Sequence, residues 1–159
     1  MPQKTVLITG ATRGIGRGIA VGFADAGYQV YGTGRSVTSL TAEPSGWIKE
    51  KGIILKAADA ADQASMAAFM KEIHTTHGRL DCLVNNAGIA ANTPASRITL
   101  DEANRIIDTN FKAVFQNAQS YYQLQRKEGG NIINIASVLG MVGTTLASVY
   151  SGTKGAVIA

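Results

Sequence analysis

Short apolar runs alternate along this chain with longer stretches in which apolar residues recur every three or four positions, and that alternation predicts the architecture. Residues 6–9, 29–33, 53–57, 80–85 and 131–136 read as strands, each short, apolar and rich in Val, Ile or Leu. Helical periods fill the intervals. Ile15, Ile19 and Phe23 recur at four-residue spacing with Gly27 as a stop, and Met66, Phe69, Met70 and Ile73 form an i, i+3, i+4, i+7 stripe closed by Gly78. A third period covers residues 99–127 through Ile106, Ile107, Phe111, Val114 and Phe115. Thr99 and Glu102 are spaced there as a capping box, with Gly129 and Gly130 behind. The stretch 36–52, which holds Pro44, Gly46 and Trp47, is the least regular and is expected to be a loop with a short helix. Elements in this order imply an α/β protein: a mostly parallel sheet with helices on both faces, joined by right-handed crossovers.

A length of 159 residues suits one domain with a real core. Hydrophobic residues make up 45% and charged residues 16%, a balance that fits a compact α/β protein better than a disordered or membrane one. No apolar run approaches the ~20 residues of a membrane span. The N-terminus runs straight into the first strand with no secretory pattern, so a cytoplasmic location is expected. The net charge of +4 is scattered, without a basic block or stripe, which argues against nucleic acid and leaves an anionic cofactor as a use for part of it. Cys82, the one cysteine, lies in an apolar run with no histidine nearby and reads as a core thiol rather than a nucleophile. His74 and His77 end the second helical period, where such side chains suit the last turn, and are read as surface residues.

Two local patterns carry chemistry. Thr9-Gly10-Ala11-Thr12-Arg13-Gly14-Ile15-Gly16 lies between the first strand and the first helix. Glycine lets backbone approach a diphosphate there, and the unpaired N–H groups of the helix start face the anion; a bare turn is the bland alternative. Near the other end, Tyr150 and Lys154 are spaced i, i+4, which puts both on one face if the segment is helical. An ammonium beside a phenol stabilises the phenolate and lowers its pKa from the ordinary value of about 10. Tyr150 could then trade a proton with an alcohol or carbonyl oxygen; an exposed amphipathic pair is the bland alternative.

The glycine spacing G-x-x-x-G-x-G, followed by Asp59 after the third strand, Asn85-Asn86-Ala87-Gly88 at the end of the fourth, and then Asn110, Ser137, Tyr150 and Lys154, resembles the short-chain dehydrogenase/reductase family. The resemblance runs from Thr5 onward, and 3-oxoacyl-(acyl-carrier-protein) reductases look most similar. It implies a Rossmann-type doubly wound parallel sheet, one NAD(P)-binding domain over residues 1–159, with the five N-terminal strands present and the final strands of the fold missing. It also implies an oxidoreductase moving hydride between nicotinamide and a carbonyl or alcohol substrate. In that reading Tyr150 exchanges the substrate proton, Ser137 hydrogen-bonds the same oxygen, Lys154 lowers the Tyr150 pKa and holds the ribose, and Asn110 positions a water leading to solvent. Cofactor contacts fall to Gly10, Thr12, Arg13, Gly14, Ile15, Gly16, Arg35, Asp59, Asn86, Ala87 and Gly88, together with Tyr150 and Lys154; no metal is implied.

An enzyme of this kind that uses NAD usually carries an acid at the end of the second strand for the ribose 2′-OH. This chain has Gly32-Thr33-Gly34-Arg35 instead. Arg35, with Arg13 in the glycine loop, suits a 2′-phosphate, so NADPH is expected over NADH, as in the family's NADP-preferring members. A homo-oligomer is the family expectation for an intact chain. Relative to the family the fifth strand should be an exposed edge, and a final helix of fewer than about ten residues should fray. A catalytically inactive dinucleotide-binding module is therefore the competing reading.

Overall fold

In the computed structural model, which describes residues 2–35 and 46–159, the five apolar runs form one parallel sheet in the order β3-β2-β1-β4-β5. The strands are β1 (Thr5–Ile8), β2 (Gln29–Gly34), β3 (Ile54–Ala57), β4 (Cys82–Asn85) and β5 (Asn131–Asn134). The helices are α1 (Gly14–Asp25), α2 (Gly46–Glu50), α3 (Gln63–His77), α4 (Leu100–Ile107), α5 (Ala113–Gln125) and α6 (Ser148–Ile158). A π-helical turn, Asp108–Lys112, joins α4 to α5, and a 3-10 turn, Val138–Gly140, follows β5. The chain steps outward from β1 to β3 and then returns to lay β4 on the other side of β1, with Val6 opposite Cys82 and Leu7 opposite Leu83. That reversal opens a crevice at the carboxyl ends of β1 and β4, where sheets of this kind bind ligands. The expected doubly wound sheet is present, and α2 is the short helix expected within 36–52; residues 36–45 of that stretch lie outside the described residues.

Period-two alternation sorts the strand side chains between two cores. Val6, Ile8, Val30, Cys82 and Val84 pack with Ala20 of α1 on one face. Leu7, Tyr31 and Leu83 pack on the other with Met66, Phe69, Met70 and Ile73 of α3 and Tyr121 of α5. The α3 stripe is buried as its spacing predicts. Asp62 caps its start by accepting from the Ser65 N–H, and Gly78 closes it in the left-handed region at φ 76°. β5 forms one edge of the sheet, and Ile132 and Ile133 stand exposed on it.

Several sequence expectations change. Ile15 is 68% exposed because it sits in the first turn of α1, beyond the end of β1, while Ile19 and Phe23 do pack against the core. Phe111 and Phe115 are exposed rather than inward. The π turn adds a residue to the helical repeat, which rotates α5 about its axis by roughly 100°, so Ala113, Val114, Asn117 and Tyr121 take the inner face. His74 and His77 are half-buried, and the Tyr31 hydroxyl and His77 Nε2 share a hydrogen bond of 2.7 Å. Thr99 caps α4 by accepting from the Glu102 N–H, but the Glu102 carboxylate accepts from Thr93 Oγ1 at 3.0 Å instead of completing the box.

Cys82 is buried, as expected, and burial pushes its thiol up to about 11 from 9.0. Between those values the unfolded chain has released the proton while the folded chain keeps it, so stability falls as pH rises from 9 towards 11. The full effect of such a shift is at most about 2.7 kcal/mol. Cys82→Ala removes this titration, so the melting-temperature advantage of the unsubstituted chain over the variant should narrow above pH 9 in scanning calorimetry. A gap that stays constant up to pH 11 would refute the assignment.

Candidate cofactor groove and active site

The β1–α1 loop, the end of β2, the β3–α3 loop and the end of β4 enclose a groove of about 780 Å³ at the crevice. Its walls bring together Gly10, Thr12, Arg13, Gly14, Ile15, Gly16, Arg35, Asp59, Asn86, Ala87 and Gly88. Local sterics explain the glycines. Gly10 takes φ 68°, and a β-carbon on Gly16 would overlap the Gly10 carbonyl oxygen and the Asn86 carboxamide nitrogen. Hydrogen bonds tie the two loops into one floor: Thr9 Oγ1 accepts from the N–H groups of Asn86 and Ala87, both at 3.0 Å. In return Asn86 Nδ2 donates to the carbonyls of Thr9 (2.9 Å) and Gly10 (3.1 Å).

The start of α1 differs from those of α3 and α4. It has no side-chain cap and no acidic residue in its first turn, whereas Asp62 and Thr99 cap the other two. The leading N–H groups of α1 are thus available to an anion, and the helix dipole favours one there. Arg13 and Arg35 stand exposed on the groove wall and add positive charge at its rim. A diphosphate-bearing dinucleotide with an extra phosphate on its adenosine ribose fits this set of donors.

Residues that the sequence reading did not assign as cofactor contacts also line the groove. They are Arg17, Thr33, Gly34, Ala58, Ala60, Ile89 and Thr109. The Arg17 guanidinium lies 4.8 Å from the Trp47 ring centroid, a cation–π contact that ties α1 to α2. No spacing signal separates Arg17 from an ordinary surface arginine, because its partner arrives from another part of the chain.

At the far end of the groove, the π turn carries Asn110, which is fully buried. Its Oδ1 accepts from the Ile89 N–H and its Nδ2 donates to the Ile89 carbonyl, both at 2.8 Å, and Nδ2 also donates to Thr153 Oγ1 at 3.3 Å. Lys154 is 5% exposed, and Nζ donates to the Ile135 carbonyl at 2.6 Å. Burial lowers its pKa from the ordinary lysine value. A β-carbon on Gly88 would lie 3.4 Å from Asn110 Oδ1 and 3.9 Å from Lys154 Nζ, so both side chains face the groove's Gly88 wall.

Tyr150 and Lys154 share a face of α6, with Nζ 5.9 Å from the tyrosine ring centroid. Ser137 lies beyond the end of β5, as the cap of the 3-10 turn, where its Oγ accepts from the Leu139 N–H at 3.2 Å. Gly140 of that turn crosses α6 closely: a β-carbon on it would stand 2.6 Å from the Lys154 carbonyl carbon and 2.7 Å from the Gly155 nitrogen. This crossing and the Lys154–Ile135 bond fasten α6, which has 11 residues rather than the shorter fraying helix expected. Tyr150 and Lys154 do not line the groove itself, and of the two Lys154 lies beside its Gly88 end.

Among the described residues no cluster of His, Cys, Asp and Glu could hold a metal, and no helix is long and apolar enough to cross a membrane. Residues 4–159 match the short chain dehydrogenase family. The 3-oxoacyl-(acyl-carrier-protein) reductase of Staphylococcus aureus strain Mu50 is 40% identical over 161 residues, covering 98% of this chain and 64% of that protein. A solved structure from Sinorhizobium meliloti 1021, described as a short-chain alcohol dehydrogenase, superposes with a TM-score of 0.90 at 34% identity, covering 99% of this chain and 64% of its own. A metagenomic short-chain oxidoreductase in complex with NADP superposes with a TM-score of 0.88 at 29% identity, over 99% of this chain and 71% of that one. The chain thus spans 64% of the length of the S. aureus relative. A match over nearly every residue, carried by a sheet whose switch-point loops meet in one glycine-walled groove, places the chain in the short chain dehydrogenase family.

Proposed function

We propose that this chain binds NADPH and supports hydride transfer between the nicotinamide and a carbonyl or alcohol. The observation that carries the reading is the uncapped start of α1, opening on a glycine-walled groove with Arg13 and Arg35 at its rim. Bound there, the nicotinamide supplies the hydride. The chain's residues do the rest. The α1 N–H groups and glycine loop hold the diphosphate, and Arg35 with Arg13 holds the 2′-phosphate. Tyr150 gives its hydroxyl proton to the carbonyl oxygen, or takes it back from the alcohol, and Ser137 steadies charge on that oxygen. Lys154, four residues on along the same helix, would hold the nicotinamide ribose, and Asn110 holds the Ile89 backbone beside it.

The substrate class to test first is a 3-oxoacyl thioester, since the S. aureus relative is named for that reduction. Trp47 is the one tryptophan in the chain and stacks on groove-lining Arg17, so its fluorescence should report nucleotide binding. NADPH is expected to quench it saturably and to raise the melting temperature. Arg35→Ala should weaken NADPH by about tenfold, the loss of one charge-assisted contact, with little change for NADH. Equal affinity of the unsubstituted chain for both nucleotides would sink the 2′-phosphate assignment. Stabilisation by NADPH without oxidation of it by a panel of ketones would instead favour a binding module.

A further inference from the structure

We infer that Asn117 is a positioning residue that sets the adenosine end of the groove, an inference that rests on the NADPH reading above. Asn117 lies in α5, is 2% exposed, and its Nδ2 donates to the Ala60 carbonyl at 3.2 Å. Its neighbours on that inner face are Ala113, Val114 and Tyr121, among which a leucine would bury more apolar surface. A buried carboxamide there satisfies a backbone carbonyl of a loop that arrives from 57 residues away.

That loop is a groove wall. Ala58, Asp59 and Ala60 all line it, and the Ala58 N–H donates to the Gly34 carbonyl at 3.0 Å, beside Arg35. The wall is therefore anchored on one side to the end of β2 and on the other to Asn117. Asp59 fixes the rest of the turn by accepting from the Ala61 N–H at 3.0 Å.

One helical run serves both ends of the groove. Seven residues earlier, Asn110 clamps the backbone of Ile89, which lines the groove near Gly88 and Lys154. Asn117 does the corresponding work for Ala60, about 10 Å further along the helix axis. With its donor removed, the Ala60 carbonyl loses its partner, and the Ala58–Ala60 wall can shift relative to Arg35.

The test measures affinities of the full 159-residue chain for adenosine 2′,5′-bisphosphate and for NADPH by calorimetry, alongside melting temperature. Asn117→Leu should weaken both ligands by the same factor, about fivefold to tenfold, because the whole loss lies in the adenosine half they share. Asn117→Gln, which keeps a carboxamide, should recover most of it. If Asn117→Leu does not fold, Asn117→Ser carries the same expectation. A lowered melting temperature with unchanged bisphosphate affinity in the folded variant would reduce Asn117 to a structural residue and overturn the inference. A loss for NADPH but not for the bisphosphate would overturn it too. Failure of the unsubstituted chain to bind either ligand would overturn the NADPH reading itself, and this inference with it.

Discussion

Tyr150→Phe should slow carbonyl reduction by about 10²–10⁴-fold while NADPH binds as before. The substitution removes one oxygen from a half-buried ring on α6 and leaves the groove untouched, since Tyr150 contributes nothing to the walls. On the proposed reading, what is lost is the proton donor. General acid–base groups contribute about 10²–10⁴-fold, so kcat should fall by that factor while the nucleotide dissociation constant stays within about twofold. Turnover within about tenfold of the parent, by the same reasoning, would mean that another group or water supplies the proton. Lys154 lies on the same helix face, with Nζ 5.9 Å from the ring centroid and held on the Ile135 carbonyl. Its burial disfavours its own charged form, so the ammonium keeps its proton less firmly than a surface lysine would.

Gly16→Ala is expected to damage both stability and nucleotide binding. The added methyl would overlap the Gly10 carbonyl oxygen, a backbone atom that no rotamer change can move, as well as the Asn86 carboxamide. Relief requires α1 to slide away from the β1 loop and the Asn86 side chain to swing aside, and the second movement breaks the Asn86 bonds to Thr9 and Gly10 that join the two sides of the groove floor. Overpacking of this sort costs about 3 kcal/mol or more, a fall in melting temperature of roughly 6–12 °C for a chain of this size. Gly18→Ala is the control, because among the described residues nothing lies within 4 Å of a β-carbon there, and alanine favours helix. Similar melting temperatures for the two variants would contradict the close packing described at Gly16.

The strands and their order of appearance were legible because buried parallel strands and amphipathic helices write different periods, and Gly27 and Gly78 mark two helix ends. Both take positive φ, at 84° and 76°. The glycine loop was legible for a similar reason, since close backbone approach leaves few residue choices. The π turn was not. It is defined by which carbonyl each N–H reaches, and residues 108–112 carry no composition that announces a change of hydrogen-bond register. Its phase shift is why Phe111 and Phe115 came out exposed.

Long-range partners were equally hidden. Asn110 was identifiable by resemblance, but not its grip on Ile89, and Arg17 gave no sign of the Trp47 stack. Asn117 did leave a trace: a polar residue on a helix face whose neighbours Val114 and Tyr121 are apolar or aromatic. A buried polar position of that kind asks for a backbone partner, and only the fold says that the partner is Ala60. The length of α6 also depended on tertiary contact, because the Gly140 crossing secures a helix too short to persist alone.

The central claim is that this chain carries hydride from the nicotinamide to a carbonyl carbon, with Tyr150 as proton donor. The most direct measurement uses NADPH deuterated at nicotinamide C4, incubated with the chain and a 3-oxoacyl thioester or ketone, and mass analysis of the alcohol formed. Deuterium on the carbinol carbon, formed by the parent chain at least about 10²-fold faster than by Tyr150→Phe, is the predicted result. Saturable NADPH binding with no labelled alcohol from any carbonyl offered would contradict it, and would leave a dinucleotide-binding module in its place.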